Sequence, residues 1–121
     1  MRRARLGAAA TTVVAAIALL AVPALGAPQA TALTGTVGPG FTITLTKGGK
    51  AVKTLPPGAY TITVNDKSGS HNFHLTGPGV NKATSVAKQG KTIWKVTLKA
   101  GSYKYVCDPH ASSMKGSFKV G

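Results

Sequence analysis

The chain has 121 residues, fifteen Lys and Arg against two acidic residues, a formal charge of +13 and a single cysteine. That length leaves room for one small domain and no more. One cysteine excludes an intramolecular disulfide, so the thiol must be free, bridged to another chain, or bound to a metal.

The N-terminal residues read as an export signal. Arg2, Arg3 and Arg5 form a positive start, Leu6 to Ala21 is an uncharged apolar run, and small residues follow through Ala27. Ala24-x-Gly26 places the expected cut before Ala27, with Ala30-x-Ala32 as a later possibility. The alternative, an uncleaved membrane anchor, is disfavoured because the apolar stretch is short for a span. The expected organisation is therefore a signal peptide at 1–26, a flexible stub at 27–32 and a domain at 33–121. The mature chain is expected outside the cytoplasm, extracellular or in the periplasm or cell envelope, as a monomer without a transmembrane span. Without the three arginines its charge is +10, from twelve lysines against Asp66 and Asp108. Scattered lysine with no arginine and no helix to enter a groove excludes a sequence-specific nucleic-acid reader. It suits solubility and protection of sheet edges, or steering toward an acidic partner or anionic envelope surface.

From residue 33 onward the chain reads as strands. Phe41–Thr46, Tyr60–Val64 and Ile93–Leu98 alternate apolar and polar residues, the period of a strand with one face on a core. Further strands are expected at Leu33–Thr36, Ala51–Leu55, Asn72–Leu75, Ser102–Val106 and Ser117–Val120. Turn signals separate them at Gly38-Pro-Gly, Lys47-Gly-Gly, Pro56-Pro-Gly, Asp66-Lys-Ser-Gly, Gly77-Pro-Gly and Ala100-Gly. About eight short strands at this spacing predict an all-β, antiparallel Greek-key sandwich. Trp94, Phe73, Tyr60 and Tyr105 fall in the strand patterns and are expected in the core or on a sheet face.

One short run carries the chemistry. In Val-Cys-Asp-Pro-His-Ala-Ser-Ser-Met-Lys-Gly (106–116), Cys107, His110 and Met114 are spaced to converge on one metal ion. A thiolate, two imidazoles and a weak axial thioether are the ligands of a blue-copper site. The second histidine comes from Ser-His-Asn-Phe-His (70–74), where His71 and His74 compete. Residues three apart in a strand point to opposite faces, so both cannot serve one ion. His71 is preferred because Asn72 beside it can brace the backbone near the cysteine loop. Zinc is the chemical competitor, but a structural zinc site wants four strong ligands and a thioether is a poor fourth.

These residues resemble the cupredoxin family, in particular small exported blue-copper proteins of the plastocyanin type. The resemblance spans about residues 33–121. It is carried by Gly58-x-Tyr60 leading into a strand, His71-Asn72, Tyr105-Val-Cys107-x-Pro-His110, and Met114-x-Gly116 opening the last strand. It implies a single type 1 copper ion held by His71, Cys107, His110 and Met114. It also implies an apolar docking patch around His110, which would be the electron port, flanked by Pro109 and Ala111. Gly38–Phe41 and Gly77–Val80 are expected at the same end of the molecule.

The expected function is one-electron transfer between Cu(II) and Cu(I), with a redox protein as partner and no enzymatic activity. The two acids lie in expected loops and form no Ser-His-Asp set. Cys107 and His110 are too close in sequence for the usual catalytic pairing across a fold. The alternative is an extracytoplasmic copper storage or delivery module with the same ligands and no electron shuttling. A metal-free interaction domain of the same fold is disfavoured because all four ligands are present.

Overall fold

The computed structural model of the chain describes residues 29–121 and, upstream of them, only Gly7, Thr12, Val13 and Ala15. The expected export signal lies outside the described residues. No helix among the described residues is long and apolar enough to cross a membrane.

Among the described residues, ten strands form two five-stranded sheets. They are β1 (Thr31–Val37), β2 (Ile43–Lys47), β3 (Lys50–Ala51), β4 (Thr54–Leu55), β5 (Gly58–Asp66), β6 (His74–Gly77), β7 (Val80–Ala83), β8 (Gly90–Leu98), β9 (Gly101–Val106) and β10 (Lys115–Val120). One sheet runs β3-β2-β1-β5-β8, the other β4-β10-β9-β6-β7. The alternation read from the sequence is the alternation of burial. In β5, Tyr60, Ile62, Val64 and Asp66 point inward, and in β8 Trp94, Val96 and Leu98 do so. Between the sheets, Phe73 stacks on Tyr105 with ring centroids 5.3 Å apart, and Tyr103 stacks on Phe118 at 5.2 Å. Gly35 faces the Phe73 ring so closely that a Cβ there would lie 3.0 Å from it.

Several expectations need correction. The sandwich is not wholly antiparallel, since β1 pairs with β5, and β4 with β10, in parallel. The reason lies in the expected strand 51–55. It breaks at Val52-Lys53, placing Ala51 in the first sheet and Thr54–Leu55 in the second. The chain thus crosses the sandwich and returns, re-entering the first sheet beside β1 in the same direction, and a parallel pair requires such a crossover. The pairing begins at Thr31, opposite Tyr60, so residues 31 and 32 belong to β1 and not to a flexible stub.

The strand expected at Phe41 starts at Ile43, leaving Phe41 in the preceding loop. The strand expected from Asn72 starts at His74, because the backbone just before it bonds sideways. Phe73 N–H donates to the Thr84 hydroxyl at 2.9 Å, and Thr84 N–H donates to the Phe73 carbonyl at 3.0 Å. β7 was not expected; Gly77–Val80 is its hairpin turn. Pro78 there packs beside Gly101 and accepts from the Tyr103 hydroxyl at 3.3 Å, at the pole opposite Cys107. Asp66 is the last residue of β5 and not a loop acid.

Candidate metal centre

Cys107 follows β9 directly and opens a tight loop that returns to β10. Pro109 sits in one turn of 3-10 helix, Asp108–His110, where its fixed φ suits the first turn and its missing N–H costs nothing. Backbone bonds then close the loop. His110 N–H donates to the Cys107 carbonyl at 2.9 Å and Met114 N–H to the His110 carbonyl at 2.8 Å. Cys107 N–H donates to the Met114 carbonyl at 3.0 Å, which seats Met114 beside the cysteine. Cys107 and Met114 are almost completely buried, at 0% and 1% exposure.

His71 arrives from the other side of the sequence, on the connection between β5 and β6. It too is buried, at 2%. That connection is anchored where Lys67 N–H donates to the Val37 carbonyl at 2.9 Å, below Gly38. Gly38 has φ of +72°, which favours glycine. A Cβ there would meet the Ser68 side chain at 2.9 Å and the His71 ring at 3.4 Å.

The three strong donors converge. Cys107 Sγ lies 3.6 Å from His71 Nδ1 and 3.5 Å from His110 Nδ1, and the two nitrogens are 3.1 Å apart. Their common centre is about 2 Å from each atom, the bond length of first-row metals to imidazole nitrogen and slightly short for thiolate sulfur. The donor set therefore fits a metal ion, and its softness and trigonal shape fit copper. Asn72 N–H points at Sγ from 3.5 Å, a donor placed to stabilise a thiolate.

Asn72 does more than was expected of it. Its amide nitrogen donates to Asp108 Oδ2 at 2.7 Å and to the Thr84 carbonyl at 3.3 Å, while its Oδ1 accepts from Asp108 N–H at 2.7 Å. The cysteine loop is thus pinned to the His71 segment through both the backbone and the side chain of Asp108. His74, the competitor for the first imidazole position, takes no part in the cluster. Its Nδ1 faces Asp108 Oδ1 at 2.8 Å and its Nε2 faces Asn81 Oδ1 at 2.6 Å. Two acceptors on one ring favour its protonated form. Its pKa is raised, first by the bond to Asp108 and then by that to Asn81.

Sequence reasoning missed the structural parts of Asp108, Asn81 and Thr84, because nothing in their spacing marks them as partners. It did not foresee the packing of Phe41, whose ring lies over both histidines, 5.2 Å from His71 and 4.9 Å from His110 by centroids. The expectation that Gly38–Phe41 reaches the metal end is met, whereas Gly77–Val80 lies at the other pole.

Comparison with known proteins agrees with this geometry. A search of curated proteins returns no match to the chain. Among solved structures, reduced rusticyanin superposes with a TM-score of 0.59 at 20% identity, covering 78% of this chain and 81% of that one. Auracyanin from the photosynthetic bacterium Roseiflexus castenholzii gives 0.54 at 20% identity, with 77% and 98% covered. A chain of a heme-copper terminal oxidase dimer gives 0.54 at 18% identity, with 74% and 63% covered. At these identities the likeness speaks for the fold. The sequence pattern of the copper binding proteins of the plastocyanin/azurin family matches residues 50–121, more than half of the chain. With a β-sandwich and a His71, Cys107, His110 cluster compatible with one type 1 copper ion, the chain belongs to the plastocyanin/azurin family of blue copper proteins.

Proposed function

We propose that the protein is an exported one-electron carrier and not an enzyme, in which His71, Cys107, His110 and Met114 would hold one copper ion. The observation that carries this reading is the buried triangle of Sγ and two Nδ1 atoms at 3.1–3.6 Å. When bound, the copper ion supplies the Cu(II)/Cu(I) couple. The protein's part is to keep the donors in one arrangement for both states, so that little rearrangement accompanies transfer. Cys107 serves as the thiolate, releasing its proton on binding, with Asn72 N–H directed at the sulfur. The closed 107–114 loop and the Asn72–Asp108 bonds hold the ligands before the metal arrives. His110, the less buried of the two imidazoles, is the electron port, with Pro109 and Ala111 exposed beside it. The excess of lysine supports a redox partner with an acidic surface, or an anionic envelope surface, as the docking counterpart. Residues 1–26 are proposed as the export signal.

The test is the visible spectrum of the mature protein with Cu(II), beside Cys107→Ser. An intense thiolate-to-copper band, lost in the variant and bleached reversibly by a mild reductant, is expected. A pale solution with a freely titratable thiol would refute the carrier. A band that bleaches only as copper is lost would favour delivery.

A further inference from the structure

Phe41 is a large apolar side chain left in water. It is 68% exposed, more than any other described aromatic. It sits between Gly40 and the start of β2. The core does not use it, yet it is not free of contacts: its ring meets His71 with the planes at 65° and His110 at 88°, both edge-to-face. The two imidazoles meet each other the same way, with centroids 4.8 Å apart. Three rings therefore close over one spot, and beneath them lies the fully buried Cys107 sulfur, within 3.6 Å of both Nδ1 atoms.

We propose that Phe41 is the lid of the metal funnel, a positioning residue that keeps both imidazoles over Cys107 and shuts water and small ligands out of the space between the donors. Edge-to-face pairs of this kind are favourable beyond the area they bury, which biases the rotation of a partly exposed ring such as His110. Removing the ring opens a path to the sulfur past His110 without touching the core. The shielding of Cys107 holds for the metal-free protein; the exclusion of ligands from copper rests on the ligand set proposed above.

The first experiment uses metal-free protein and the coloured-thiolate reagent dithiobis(nitrobenzoate), which reports how fast Cys107 is reached. Phe41→Ala should speed labelling roughly tenfold or more, Phe41→Trp should stay within about twofold of wild type, and Ile93→Ala, an exposed apolar residue on β8, should change nothing. Wild-type rates in Phe41→Ala, or equal acceleration in Phe41→Trp, would overturn the lid; unchanged circular dichroism and melting temperature establish that each variant is folded. The second experiment adds azide to the Cu(II) protein. The visible band should hold in wild type and shift in Phe41→Ala; a band unmoved in both overturns ligand exclusion. If wild type shows no such band, the ligand set has failed, and the labelling rates decide the lid alone.

Discussion

Asp108 stands where two tasks meet, between the ligand loop and the β6–β7 hairpin. Burial pushes its carboxyl upward, but hydrogen bonds from Asn72 and His74 and the charge of His74 outweigh it and hold it below the usual 3.8. The pKa of His74 is raised above 6.5, chiefly by Asp108. A raised histidine stabilises fully below its unfolded pKa and loses that contribution as pH rises through the folded one; a lowered carboxylate stabilises fully above its unfolded pKa and loses it as pH falls. The pair is therefore complete between about pH 4 and pH 6.5. Both groups are partly exposed, so it is worth about 0.2–1 kcal/mol. In metal-free protein, His74→Gln should lower the melting temperature by about 2–5 °C at pH 5 and by less at pH 8.5. An equal loss at both values would mean that the charge contributes nothing. This part of the site was not legible in the sequence. Asp108 beside a ligand cysteine reads as one more loop acid until the fold brings Asn72 and His74 to it.

At the scale of elements, the open edges of the sandwich share one feature. The edge strands are β3, β8, β4 and β7, and lysines stand on or beside each: Lys50, Lys91 and Lys95, Lys53, and Lys82. The clefts at both edges repeat it, one lined by Lys82, Lys95 and Lys99, the other by Lys47, Lys50 and Lys53. The same device on both sides is what protection of unpaired strand edges requires. β8 needs it most, because exposed Ile93 lies on this nine-residue edge between Lys91 and Lys95. The double variant Lys91→Thr, Lys95→Thr keeps strand propensity and should associate on heating about tenfold faster than wild type by light scattering. Equal rates would show that the edge is blocked by its twist or neighbours. The strands themselves were largely legible, because alternation is local. The split of 51–55 was not, since both halves fit one strand and only the need to cover two sheets separates them.

At the scale of the molecule, twelve lysines face only two acids, and Asp66 and Asp108 lie at the metal pole. Although both acids sit at that pole, the net positive charge of the molecule should still steer anionic reactants to the proposed port. Oxidation of the reduced protein by ferricyanide should slow about tenfold between 0.01 and 0.1 M salt, as the screening length falls from about 30 to 10 Å. A cationic oxidant should speed up instead; salt-independent rates for both would mean that the port lies outside the field. Strand periodicity, charge, and the donor types offered by Cys107, His110 and Met114 were legible in the chain alone, because each is a property of residues near one another in it. Folding was needed to bring His71 rather than His74 to the donors, to set Asn72 against Asp108, and to lay Phe41 over the histidines. Those pairings join segments some 30 or more residues apart, and their distances exist only once two sheets have packed around a common core.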